Sequence, residues 1–289
     1  MDISALRAFL AIAETGSFSR AADTIFVTQP AISKRIAGLE DELGARLFDR
    51  IGRRVQLTPV GQALINPARA ILNDIEDAKR RVANLSGEIG DRLGLGTSHH
   101  IGLHRLPPAL KRFHQDYPGV HLDLRFMDSE TACRAVEQGE LELAIVTLPT
   151  APLGPLNAAP VWDDPLEIVV GNTHPLAQAR RVDADALVRH PAVLPGTGTF
   201  TRELILAALG SRREQLRVGM STNYLEVLKM LVAIGLGWSA LPHTLIDDEL
   251  KVVHIKSIKI RRELGIVTHS SRTLSNAAQA MIRIVNATK

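Results

Sequence analysis

Two groups of residues have the types and spacing to do chemistry. The first is the run Thr28-Gln29-Pro30-Ala31-Ile32-Ser33-Lys34-Arg35. In a helix starting near Gln29, Ile32 and Ile36 share one face, while Thr28, Gln29, Ser33 and Lys34 project from the other with Arg35 beside them. A Gln amide can bond a base edge at two points, and a Lys reaches guanine or a phosphate. Just downstream, Arg46, Arg50, Arg53 and Arg54 gather against the single acid Asp49. That balance suits phosphates and a groove edge. Alanine-rich helical units also occur as plain packing modules; the basic cluster is what favours DNA. The second group holds His99, His100 and His104. Imidazoles at these positions could bind an anion, sense pH, complete a metal site, or simply cap and pack. No Cys, Asp or Glu follows at ligand spacing, so the sequence reading assigns no metal. The lone Cys133 lacks the second thiol that a disulfide-type peroxide sensor needs, and reads as a small core residue.

The elements that must position these groups follow from periodicity. Ile3, Leu6, Phe9, Leu10 and Ala13 form a helical stripe stopped by Gly16. Ser17 then caps a short helix through Ala21, Ala22 and Ile25, and Thr28 caps the next, with Pro30 in its first turn and Gly44 at its end. Two short helices joined by a tight turn make a helix-turn-helix, and the segment around Gly52 reads as a two-stranded wing. From Thr58-Pro59 to about Ser86 the apolar positions are Leu64, Ala68, Ile71, Ile75, Ala78, Val82 and Leu85, spaced alternately by four and three. This is a heptad seam for a partner helix, the alternative being a helix lying on its own domain. Beyond the boundary near Gly87–Asp91, strand-like runs alternate with helical ones. That predicts an α/β architecture with mostly parallel sheets.

Bulk properties set limits. The chain has 289 residues, enough for two domains, and a net charge of only +3, so charge distribution rather than total charge must carry any nucleic-acid argument. The first residues carry Asp2 and Glu14 and no basic segment, unlike a signal peptide, and no apolar run approaches the roughly 18 residues of a membrane span. The expectation is a cytoplasmic protein with no membrane partner. No phosphate loop, G-x-S-x-G or dinucleotide fingerprint supports an enzyme. A solute-binding transport protein would leave the first 90 residues unexplained.

The first 65 residues resemble the N-terminal signature of LysR-type transcriptional regulators. The resemblance rests on Phe9, Gly16-Ser17-Phe18, Ala21-Ala22, Thr28 through Ser33, Leu39-Glu40, Leu43-Gly44, Leu47-Phe48-Asp49-Arg50, Leu57-Thr58 and Gly61. It implies a winged helix-turn-helix over 1–58, a dimerising linker helix over 59–90 and an α/β effector domain over 91–289. That domain would have two lobes like a type 2 periplasmic binding protein: lobe I over 91–161 and 265–289, lobe II over 162–264. The implied partners are double-stranded DNA at an interrupted palindromic promoter site, a small-molecule effector and further copies of the chain as a dimer of dimers. RNA polymerase is a candidate partner, and no cofactor is expected. The DNA-contacting set is then Thr28, Gln29, Pro30, Ser33, Lys34, Arg35, Arg50, Arg53 and Arg54. The cleft between the lobes is expected to be lined by Thr97, Ser98, His99, His100, Asp128, Ser129, Thr147, Thr197, Thr199, Phe200 and Thr222. These follow strands and open helices, where free N–H groups favour an anionic metabolite. Trp238 is expected in the core or at the cleft wall.

Overall fold

The computed structural model describes residues 1–51, 54–85, 87, 89 and 92–288. They divide into two compact units, Met1–Ser86 and Gly87–Lys289.

In the first unit, α1 (Ile3–Thr15) starts at Asp2, whose carboxylate accepts the Ser4 N–H, and ends on Gly16 at φ 62°. Ser17 caps α2 (Phe18–Thr24), and Thr28 caps α3 (Gln29–Leu43), which stops at Gly44 with φ 64°. Strands β1 (Phe48–Ile51) and β2 (Arg54–Leu57) pair antiparallel, Phe48 opposite Leu57. Helix α4 (Pro59–Leu85) follows and carries Pro67, whose missing N–H removes one helical hydrogen bond. Leu6, Phe9, Ile12, Ile32, Ile36 and Leu39 form the core with Leu47 and Phe48 of the wing. Polar bonds fix the wing to the helices. Glu40 accepts the N–H groups of Leu47 at 2.7 Å and Phe48 at 3.3 Å. Thr58 donates to the Arg46 carbonyl at 2.7 Å and accepts from the Gly61 N–H at 3.0 Å. A Cβ on Gly61 would stand 2.2 Å from the Leu47 carbonyl oxygen, so only glycine lets α4 approach this closely. The apolar stripe of α4 divides. Leu64, Ala68 and Ile71 pack on their own unit, whereas Ala78, Val82 and Leu85 are exposed on the single chain.

The second unit is built on β3 (Arg92–Thr97), α5 (His99–His104), α6 (Pro107–Asp116), β4 (His121–Phe126), α7 (Ser129–Gln138), β5 (Leu143–Thr147), β6 (Leu156–Gly171) and α8 (Ala184–Val188). It continues through β7 (Ala192–Leu194), α9 (Phe200–Leu209), β8 (Val218–Ser221), α10 (Leu225–Ala233), β9 (Trp238–Pro242), β10 (Leu250–Val252), β11 (Ile260–His269) and α11 (Asn276–Asn286). Among the described residues these strands form one sheet in the order β4-β3-β5-β11-β6-β9-β7-β8, with β10 also on β6. The expected parallel pairing holds at the two ends, β4-β3-β5 and β9-β7-β8. It fails in the middle, where β11 runs antiparallel to both β5 and β6, and β6 to β9. There β6 and β11 pass through both halves of the unit, paired antiparallel to each other. Each half has its own core. Leu93, Leu95, Ile145, Trp162, Leu264 and Met281 belong to the first; Leu166, Ile168, Leu194, Ile205, Trp238 and Ile260 belong to the second. The strands therefore cross between Trp162 and Leu166 and between Ile260 and Leu264, and the two cores define two lobes.

Candidate functional site

On α3, Ile32 and Ile36 are buried and Gln29, Pro30 and Lys34 are exposed, with Ser33 and Arg35 half-buried beside them. Thr28 is exposed too, its hydroxyl accepting the Ala31 N–H at 3.4 Å. The Gln29 amide oxygen accepts from Ser19 at 3.3 Å, which steadies the side chain at the helix start. Just before it, Phe26 has φ 55° and is 96% exposed, an uncommon place for a bulky side chain. The side chains of Arg50, Arg53 and Arg54 lie outside the described residues.

In the second unit, one cavity opens between the lobes, with about 480 Å³ free of protein atoms including its open mouth. Ser98, His99, His100, Asp128, Ser129, Thr147 and Thr199 line it, as expected from the sequence. Thr97, Thr197, Phe200 and Thr222 do not. Thr97 is fully buried and spends its hydroxyl on the Ile145 carbonyl at 2.8 Å. Thr197 is exposed, and Thr222 accepts the Tyr224 N–H at 3.4 Å. Phe200 packs its ring into the core beneath α7, and its N–H donates to the Glu130 carboxylate. Helix α9 of one lobe thus receives at its N-terminus a carboxylate from the other. Asn223 makes a second bridge, donating to Asp128 at 2.8 Å while accepting the Gly196 N–H at 2.7 Å.

Two family models match the chain: a LysR substrate binding domain over residues 86–288, and a bacterial regulatory helix-turn-helix protein of the lysR family over residues 3–62. The chain is a LysR-type regulator. A probable RuBisCO transcriptional regulator of Synechocystis is 33% identical to it over 97% of this chain and 84% of its own length. The transcriptional activator CmpR of the same organism is 28% identical over 95% of this chain and 91% of its own length. Two solved structures share the fold. A full-length OxyR variant of Pseudomonas aeruginosa has a TM-score of 0.71 at 24% identity, over 100% of this chain and 94% of that one. Full-length CbnR complexed with its target DNA has a TM-score of 0.66 at 18% identity, over 100% of both chains. This LysR-type regulator is accordingly a DNA-binding transcription factor with an effector-binding domain, not an enzyme. No helix among the described residues is long and apolar enough to cross a membrane.

The regulator's cleft also contains groups that the sequence reading passed over: Glu130, Thr201, Leu225 and Arg262. Arg262 is 4% exposed and pairs with Asp164 at 2.7 Å across the two crossing strands; it also donates to Thr201 at 3.3 Å. A signal for it exists. Ile260, Arg262 and Leu264 alternate along β11, so a period-two reading turns Arg262 inward. His100 is also buried, and burial with the nearby Arg262 charge lowers its pKa to about 3, leaving a neutral ring. His99 stacks on Phe126 with centroids 5.2 Å apart and meets Tyr224 edge-on at 4.8 Å, so it serves packing as well as lining. Burial pushes the Cys133 thiol up to about 12, which suits a core residue and not a reactive one. Trp238 is fully buried, its indole N–H on the His190 carbonyl, and stands in the core.

Proposed function

We propose that this LysR-type regulator reads duplex DNA with Thr28, Gln29, Pro30, Ser33, Lys34 and Arg35, and is switched by a small carboxylate-bearing metabolite seated between its lobes. In this reading, residues 1–58 bind an interrupted palindrome and Arg50, Arg53 and Arg54 take phosphates, as their sequence context suggests. The stretch 59–90 pairs two chains through the exposed half of the α4 stripe. Dimers join as dimers of dimers, and RNA polymerase is the partner through which promoter output changes.

One observation carries the ligand chemistry: the Glu130 carboxylate on the Phe200 N–H. The unpaired N–H groups at a helix N-terminus favour negative charge, and this one already attracts an internal carboxylate. A ligand carboxylate that replaces Glu130 there meets Thr199 and Arg262, which line the same cavity. Replacing an inter-lobe bond with a ligand bond biases one lobe arrangement over another. Couplings of about 1–3 kcal/mol are usual for such devices. The test is a promoter-reporter assay on the Ser98→Ala, Thr199→Ala double variant. Its effector response is lost while its effector-free DNA affinity stays at the wild-type value; full induction in the double variant refutes the cleft assignment.

A further inference from the structure

His100, His104 and Glu226 meet where the two lobes touch. His100 and His104 stand four residues apart on α5, so they share a helix face, with ring centroids 4.7 Å apart. Glu226 belongs to the first turn of α10, in the other lobe. Its carboxylate lies 3.2 Å from His104 Nε2 and 3.9 Å from His100 Nδ1. One ligand atom from each of the three residues falls within 4.8 Å of the others. Among the described residues this is the one group of three such side chains close enough to share a cation.

We propose that His100, His104 and Glu226 bind a divalent transition-metal ion of the zinc type, which clasps lobe I to lobe II. Zinc accepts imidazole nitrogen and carboxylate oxygen at about 2.0–2.2 Å, so tetrahedral ligand atoms stand roughly 3.3–3.5 Å apart. The His104–Glu226 pair is already close to that spacing, while the His100 nitrogen has to close in from 3.9 Å on Glu226 and from within 4.8 Å on His104. His100 supplies a second, independent observation. It is 4% exposed, yet both ring nitrogens lack a hydrogen-bond partner. Buried polar atoms of this kind normally have partners, and a metal bond supplies one. The two neighbouring guanidiniums, Arg262 and Arg105, are offset by Asp164, which pairs with them at 2.7 Å and 3.0 Å, together with the Glu226 carboxylate. Three protein ligands leave one position for water or an incoming oxygen ligand. The sequence hid the site because Glu226 lies 122 positions beyond His104.

The site shares His100 with the cleft but does not rest on the carboxylate-effector reading, and its test requires no effector. Metal-free, untagged full-length protein is titrated with Co²⁺, followed by visible absorption, and with Zn²⁺ against a chromophoric chelator. The expected result is one ion per chain, a Zn²⁺-dependent rise in Tm, and affinity at least about tenfold weaker in both His104→Ala and Glu226→Gln, since loss of even an outer partner costs that much. These two side chains are partly exposed, so the variants avoid the buried His100. No stoichiometric uptake by the wild type overturns the proposal. So does uptake that both variants retain unchanged, which would place the ion on other histidines.

Discussion

Helix α3 and the inter-lobe cleft, the proposed DNA-reading and effector sites, show opposite arrangements of polar groups. On α3 the outward residues Gln29, Pro30 and Lys34 are exposed to solvent. In the cleft many polar groups are already engaged: Ser129 with the Thr147 N–H at 3.1 Å, Thr199 with the Gly196 carbonyl at 2.9 Å, Asn223 with Asp128, Glu130 with Phe200 and Arg262 with Asp164. A DNA-reading face only has to meet its partner. In the proposed function, the cleft exchanges internal bonds for ligand bonds, and that exchange is what would bias the lobes. The same contrast says where mutations act: in the cleft on stability and response together, on α3 on DNA affinity alone.

The sharpest way to break this comparison is Arg262→Ala. It leaves Asp164 buried with only Arg105 beside it, at 3.0 Å. Removing one member of a buried pair costs about 3–5 kcal/mol, and the remaining guanidinium holds the expected loss to about 3 kcal/mol. Two-probe chemical denaturation is expected to show that loss in the second unit and no change in the first. An unchanged second unit would mean that the cleft floor is not held as described. A smaller effect on folding, but a clear one on assembly, is expected for Val82→Glu with Leu85→Glu. Both residues are exposed on the single chain, at 71% and 87%, so the fold is retained. If α4 pairs through them, sedimentation shows dissociation; an unchanged oligomer places the interface elsewhere. Smallest is Phe26→Asn, which should stabilise the first unit by about 1 kcal/mol. Asn tolerates a positive φ that strains Phe. No gain in thermal unfolding would show that the Phe26 ring has a compensating contact.

The legibility of the two regions differed for physical reasons. The DNA-reading unit declared itself because capping residues, helical period and glycine stops coincide: Ser17, Thr28, Gly16 and Gly44 all do what their types suggest. The α4 seam was half legible. A four-three spacing specifies an apolar face but not which surface covers it, and Ile71 turned out to pack on its own unit. In the cleft, strand-to-helix turns pointed to Ser98, Ser129 and Thr199, but hydroxyl type alone could not show that Thr97 would be spent on Ile145. Glu130 and Arg262 were missed because their partners come from distant segments, Phe200 and Asp164. The antiparallel centre of the sheet escaped for a related reason. The first residues of β6 are exposed from Asn157 to Pro160 and carry no strand-like alternation.

The most direct test of the account is DNA affinity measured by fluorescence anisotropy on the promoter duplex and on a random duplex, for wild type and Gln29→Ala. Gln29 is exposed and held at the start of α3, where a bidentate amide discriminates bases by about 1–3 kcal/mol. The account predicts that Gln29→Ala lowers the promoter-to-random affinity ratio by roughly five- to 150-fold, with unchanged random-duplex affinity and unchanged thermal stability. A ratio equal to that of the wild type would contradict the assignment of α3 as the element that reads sequence.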